Sequence, residues 1–293
     1  MGGEVRKETE LALMTRPLCC LTVDVGNTTT RFGLFSSDGD KEAEPLGTWE
    51  LTTPKALTSD EARMQVMQVL SVLVQDLEAA RDAGHESRGF ARPPLGAILS
   101  CVVPTLVAPW TQALASSCKT RPLVVGPGLK TGLRLCYNDP SEVGPDRIAD
   151  ALSARGRYGA PVVVIDLGTT ANIEVVDARG AFAGGIIAPG MPLEARALAQ
   201  TAARLPSIEL KAPSSVIARS TRDAMCAGVV LGSAARIDGL LDRVFDELGQ
   251  EAPVVLTGDD AAWVAALLAH RTTLDGALTL RGLHQIYLVN VSR

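Results

Sequence analysis

Residues 21–35 read LTVDVGNTTTRFGLF, and the fold turns on how this stretch is read. An apolar run ends in Asp24, turns at Gly26 and Asn27, passes Thr28, Thr29 and Thr30, and returns to apolar residues. Taken alone it has two readings. One is a β-hairpin, since Gly and Asn suit a tight strand reversal. The other is a loop that holds phosphate and a metal ion, since glycine lets backbone approach phosphate oxygens and the neighbouring polar groups donate to them. A second stretch, VVVIDLGTTANIEVV at 162–176, repeats the pattern of strand, Asp, one residue, Gly, hydroxyl-rich turn and strand. Asp24 and Asp166 stand 142 positions apart, about half of the 293-residue chain. Two such turns at half-chain spacing indicate a duplicated unit, with a phosphate-side loop in each half.

The segments between these turns alternate in type. Thr58, Ser59, Asp60 and Glu61 form a capping box that predicts a helix start. Val66, Met67, Leu70, Leu73, Val74 and Leu77 follow at helical spacing and predict one apolar face. A buried strand is expected over 95–103, broken by Pro104, then a helix over about 105–117 and a strand at 123–125. The Gly-, Pro- and Asn/Asp-rich segment 126–146 reads as loop and domain junction, followed by a helix over 148–158. Strands alternating with helices predict an α/β architecture. The expected organisation is a disordered tail at 1–18, a first domain at 19–145 and a second at 146–293.

Composition removes several classes. The chain is 46% hydrophobic and 21% charged, as expected of a globular protein with a substantial core. A net charge of −5, no basic stripe and 4% aromatic content argue against nucleic acid as a partner. No apolar run reaches the roughly 18 residues of a membrane span, and the N-terminal stretch lacks the apolar core of a signal peptide. A soluble chain without a membrane partner is expected. The six cysteines show no metal-ligand spacing and read as free thiols, which fits a cytoplasmic location. His85, His270 and His284 fit no ligand or triad spacing, and Trp110 and Trp263 read as helix packing. P-loop, GxGxxG, HExxH and GxSxG patterns are all missing.

Two domains, each with a D-x-G-x-T turn, are similar in plan to the actin/hexokinase/Hsp70-type phosphotransferase superfamily. More specifically the chain resembles type III pantothenate kinases. The resemblance rests on VDVGNTTTRFGLF, then SCVVP at 100–104, YNDPSEVGPDRIADALSA at 137–154 and IDLGTT at 165–170, followed by GGIIAPG at 184–190, TAARLP at 201–206 and LTLRGL at 278–283. It implies a duplicated actin-like (ribonuclease H-like) α/β fold with mixed central sheets flanked by helices. It also implies a homodimer with the active site at the subunit interface. The implied reaction is ATP-dependent phosphorylation of pantothenate, the first step of coenzyme A biosynthesis, with Mg²⁺ and a monovalent cation, K⁺ or NH₄⁺.

Asp24 stands where a strand carboxylate can meet Mg²⁺ directly or through water. Gly26, Asn27, Thr28 and Thr29 form the first phosphate loop, and Gly168 and Thr169 the second. By resemblance Asp146 is the general base, Arg147 grips an anionic group, Tyr137 and Gly144 contact pantothenate, and Asp166 holds the monovalent cation. Thr201 and Thr221 by the same resemblance reach pantothenate from the neighbouring subunit. A plain structural reading also covers the Asp146-Arg147 pair, since an acid is favoured in a helix's first turn. Gly184, Gly185, Pro189 and Gly190 read either as turn residues or as a backbone wall beside a ligand.

The sequence departs from the family pattern at Thr170, Asn172, the stretch 218–220 and Asp259. Asp259 in particular sets a carboxylate near the expected nucleotide. A non-catalytic relative that binds pantothenate, and another sugar or acid kinase of the superfamily, stand as alternatives to an active pantothenate kinase.

Overall fold

A computed structural model describes residues 19–36, 39–82 and 95–291. The tail expected at 1–18, His85 and the side chain of Leu77 lie outside the described residues. The chain divides into two units, Met1–Thr131 with Leu283–Arg293, and Gly132–Gly282.

The first unit carries strands β1 (Cys19–Val25), β2 (Thr29–Ser36), β3 (Gly47–Thr52), β4 (Gly96–Cys101) and β5 (Leu123–Val124). They lie in the order β3-β2-β1-β4-β5. The β1–β2–β3 meander is antiparallel, whereas β4 and β5 join it in parallel. The parallel additions need crossovers, supplied by α1 (Ser59–Asp82) and α2 (Pro104–Cys118). The capping box forms as read: the Glu61 amide donates to Thr58 Oγ1 at 3.2 Å, and the Thr58 amide donates to Glu61 Oε2 at 2.8 Å. Pro104, expected to break a strand, opens α2, where a missing N–H leaves no intrahelical bond unmade. Val66, Val69 and Leu73 of α1 pack with Leu106, Trp110 and Leu114 of α2 on Leu21, Val23, Val25, Phe32 and Leu34. Met67 departs from the expected apolar face and is 55% exposed. The stripe touching the sheet runs through 62, 66, 69 and 73, one residue to its side.

The opposite face of this sheet is covered by the C-terminal part of α8 (Leu278–Val291). His284 stacks on Phe35 with ring centroids 4.6 Å apart. Gly96 admits Tyr287, whose hydroxyl oxygen lies 1.9 Å from where a Cβ would stand.

The second unit repeats this plan with α3 (Pro145–Tyr158), β6 (Val162–Leu167), β7 (Thr170–Val176) and β8 (Phe182–Pro189). It continues through α4 (Met191–Thr201), α5 (Thr221–Cys226), α6 (Gly232–Leu248), β9 (Val254–Thr257), α7 (Ala261–Val264) and β10 (Thr273–Leu274). Its sheet order, β8-β7-β6-β9-β10, matches the first strand for strand. The β6–β7–β8 meander is again antiparallel and β9 and β10 again add in parallel. This is the duplicated actin-like fold, two mixed sheets flanked by helices.

Side-chain alternation divides the second sheet by face. Val163, Ile165, Leu167, Ala171, Ile173 and Val175 face a core shared with α4 and α6. Asp166, Asn172 and Glu174 occupy the alternate positions, on the side where α3 packs. The helical run Thr221–Leu248 contains an 18-residue window of mean hydropathy 1.4. Its Val229, Val230, Ile237 and Leu241 lie in this core, which accounts for its apolar character.

Residues 132–145, which the sequence reading assigned to the first domain, pack with the second unit. The Phe182 amide donates to Arg134 O at 2.9 Å and the Cys136 amide to Phe182 O at 2.8 Å, tying the segment to the edge of β8.

Candidate active site

In the first unit, Asp24 is the penultimate residue of β1 and sits 7% exposed. It pairs in register with Ser100 of β4 and Arg31 of β2. The turn beyond it closes through the Gly26 amide, which donates to Thr29 O at 2.9 Å, and the Thr53 amide, which donates to Thr28 O at 2.8 Å. A Cβ at Gly26 would meet Thr29 O at 3.0 Å. Asn27 and Thr28 project from the turn into solvent. The stretch expected to be the first phosphate loop is thus a hairpin turn beside a strand-end carboxylate, with Asn27 and Thr28 exposed.

The second loop is one residue shorter, and its Gly168 amide donates to Thr170 O at 3.0 Å. Asp166 lies opposite Asn172 of β7 and beside Thr257 of β9. Two glycines close on this loop. A Cβ at Gly258 would fall 2.5 Å from Asp166 Oδ1, and one at Gly190 2.1 Å from Gly168 O. Asp259 is exposed, whereas Asp260 is half-buried and accepts from Trp263 Nε1 at 3.1 Å. Among the described residues no group of three His, Cys, Asp or Glu side chains is placed to hold a metal ion. A cation here would need backbone, water or ligand oxygens beside a single carboxylate.

The start of α3 carries Gly144, Asp146 and Arg147. Gly144 is its N-cap, and a Cβ there would lie 2.4 Å from Asp146 Oδ1. Asp146 Oδ1 accepts from the Arg147 amide at 2.8 Å. Burial pushes the Asp146 carboxyl above its usual range, against the pull of the Arg147 amide and guanidinium. Arg147 turns back onto the sheet, where its Nε donates to Glu174 Oε1 at 2.8 Å. Its guanidinium carbon sits 5.6 Å from the centre of the Phe182 ring. Burial alone would lower the Arg147 pKa, but the charge and hydrogen bond of Glu174, with the Tyr137 hydroxyl, raise it.

Gly184 and Gly185, read as turn or wall residues, belong to strand β8. Gly185 stands opposite Glu174, and a Cβ on it would lie 2.7 Å from Arg147 Nη2 and 2.1 Å from Ile173 O. The absence of a side chain there makes room for the guanidinium.

Two acidic residues that the motif reading passed over complete this layer. Asp150, one turn after Asp146, is 1% exposed. Its pKa is raised by burial and by the charges of Asp166 and Glu174, while the Thr279 hydroxyl pulls the other way. Glu174 is fully buried; burial raises its carboxyl pKa, and the charge of Arg147, its ion-pair partner, opposes that rise. The signal for Glu174 was present in the sequence, as a charged residue inside the otherwise apolar strand IEVV.

Thr201 and Thr221 lie apart from these contacts. Thr201 ends α4 and Thr221 begins α5; both are exposed, and among the described residues neither hydrogen-bonds to Tyr137, Asp146 or Arg147.

Residues 20–243 match the family model described as type III pantothenate kinase. A type III pantothenate kinase of Thermomicrobium roseum is 38% identical over 268 residues, covering 91% of this chain and 96% of that protein. One from Brevibacillus brevis is 36% identical over 276 residues, covering 93% and 99%. Among solved structures, a Baf family protein from Campylobacter jejuni aligns with a TM-score of 0.54 at 18% identity, over 93% of this chain and 100% of that one. That last likeness concerns the fold alone.

Proposed function

Because this chain belongs to the type III pantothenate kinase family, we propose that the start of α3 is where it handles its acceptor substrate. The reaction is ATP-dependent phosphorylation of pantothenate to 4′-phosphopantothenate, the first step of coenzyme A biosynthesis. Asp146 is the general base that takes the proton of the pantothenate hydroxyl. Arg147 holds an anionic group, either the substrate carboxylate or the transferring phosphoryl, and Tyr137 and Gly144 line the same position. The observation that carries this reading is the Arg147–Glu174 contact of 2.8 Å beside the half-buried Asp146 carboxyl. It keeps a cation fixed next to a base whose raised pKa suits proton abstraction. Phosphoryl transfer depends mainly on positioning and charge stabilisation, so a base and a cationic clamp meet its needs.

Asp24 would hold Mg²⁺, with Gly26, Asn27, Thr28 and Thr29 on the phosphates and Gly168 and Thr169 forming the second loop. The oxygen donors present fit that ion, which usually takes one or two carboxylates plus substrate phosphates and waters. Bound there it would neutralise phosphate charge. Asp166 would hold K⁺ or NH₄⁺: its carboxylate and Leu167 O both border the space that a Cβ on Gly258 would fill. Thr201 and Thr221 act on pantothenate bound by the other copy in a homodimer, and the enzyme works in the cytoplasm.

The test is a coupled assay with pantothenate, ATP and Mg²⁺, in K⁺ or Na⁺, on the parent enzyme and Asp146→Asn. The variant is expected to bind pantothenate with kcat lowered roughly 10²- to 10⁴-fold, the usual size of a general-base contribution. Turnover is expected to require K⁺. Near-parental kcat in the variant removes Asp146 from the role.

A further inference from the structure

The geometry points to Glu174 as the positioning residue that aims Arg147, and so as a determinant of pantothenate recognition beyond the GPDR motif itself. The inference rests on the reading of Arg147 as the anion clamp. Glu174 sits in the middle of β7 on the face toward α3, with no solvent exposure. Its register partners are Val164 on β6 and Gly185 on β8, so neither adjacent strand places a competing charge directly across from it. It holds Arg147 through Nε alone, at 2.8 Å. Arg147 Nη2 and Glu174 Oε2 are both buried without a hydrogen-bond partner. The ion pair is thus single-pronged, through Nε, rather than the two-pronged fork that arginine and carboxylate often form. Gly185 and the Phe182 ring border the guanidinium.

The neighbours of Arg147 explain why a fixed aim matters. Asp146 precedes it and Asp150 follows one turn later on α3. Both are carboxylates that a released guanidinium could approach. Pairing with Asp146 would occupy the base itself. Glu174, anchored on a strand instead of the same helix, holds the cation against the sheet.

The assignment is tested by a double-mutant cycle on the full-length enzyme with Glu174→Gln, Arg147→Ala and the pair, measuring KM for pantothenate, KM for ATP, kcat and thermal stability. Arg147→Ala is expected to raise KM for pantothenate. Glu174→Gln is expected to raise it roughly 10- to 100-fold, the scale of misplacing a binding group by about an ångström, with KM for ATP unchanged. In the Arg147→Ala background, Glu174→Gln should add no further change in pantothenate KM, because it acts only through the arginine. Glu174→Asp, which keeps the charge, should recover part of the loss and serves as the readout if Glu174→Gln folds poorly.

An additive loss in the double variant, or equal losses for ATP and pantothenate, would make Glu174 a structural residue and overturn the assignment. So would an unchanged pantothenate KM in Glu174→Gln when Arg147→Ala raises it, leaving the clamp reading intact. If Arg147→Ala itself leaves pantothenate KM unchanged, both readings fall.

Discussion

Asp146 shows how one residue's surroundings set its chemistry. An ordinary aspartate titrates near 4 and is a weak base at neutral pH. Here burial raises the carboxyl, and only the Arg147 amide and guanidinium pull it back. As the proposed base, Asp146 must be deprotonated to accept the substrate proton, so activity should be lost as pH falls through this raised pKa. The acid limb of kcat/KM should therefore lie above the usual carboxylate range, as a pH–rate profile from acid to neutral would measure. A limb at the ordinary value would mean that the group limiting the rate is another carboxylate. Asp146 and Arg147 could be singled out from the sequence because GPDR is a contiguous motif. Glu174 could not be assigned that way, since its partner is 27 positions away and pairing depends on which face of β7 it occupies.

At the scale of elements, the second unit is held by a buried ion pair at the start of α8. Arg281 is 1% exposed and donates to Asp275 Oδ2 at 2.8 Å, to Asp275 Oδ1 at 3.2 Å and to Ser153 Oγ of α3 at 3.3 Å. Gly282 brings α8 against α3, since a Cβ there would lie 2.0 Å from Ala149 O. Burial pushes the Asp275 carboxyl up, but Arg281 and the Tyr158 hydroxyl outweigh it, leaving its pKa below the usual value. A carboxyl with a lowered folded-state pKa stabilises above its unfolded pKa and loses that contribution as pH falls through the folded one. Asp275→Asn should therefore destabilise the fold by about 3–5 kcal/mol at neutral pH, the cost of leaving a buried charge unpaired. The gap to the parent should narrow in acid. Denaturant titrations of both proteins at neutral and acidic pH measure this, and an unchanged midpoint at neutral pH would count against the pair. The capping box of α1 was legible because its two hydrogen bonds are local. The Asp275–Arg281 contact is also close in sequence, but nothing in the residue pattern marked it as buried.

For the whole molecule, Thr201 and Thr221 lie exposed and outside the contacts of Arg147. If they serve the substrate of a second copy, an enzyme inactivated at Asp146 and one inactivated at Thr221 should complement each other. Mixed and allowed to exchange subunits, Asp146→Asn and Thr221→Ala should yield activity that neither shows alone. No recovery, in a mixture shown by sizing to form mixed dimers, would mean that Thr221 does not serve the substrate of the other copy. The sequence by itself determined the duplication, the two D-x-G-x-T turns and the alternation of strands and helices as far as residue 176, because each is written in local periodicity and turn chemistry. Only the tertiary structure decided that this turn is a strand reversal whose Asn27 and Thr28 are exposed. It also decided that residues 134–136 pair with the start of β8, and that the buried Asp150 and Glu174 lie on the α3 side of the sheet near Asp146 and Asp166. The physical reason is that burial and pairing depend on which faces meet when α3 crosses β6 and β7. Residues distant along the chain, Arg147 and Glu174 among them, reach 2.8 Å only once the helix has packed on the sheet.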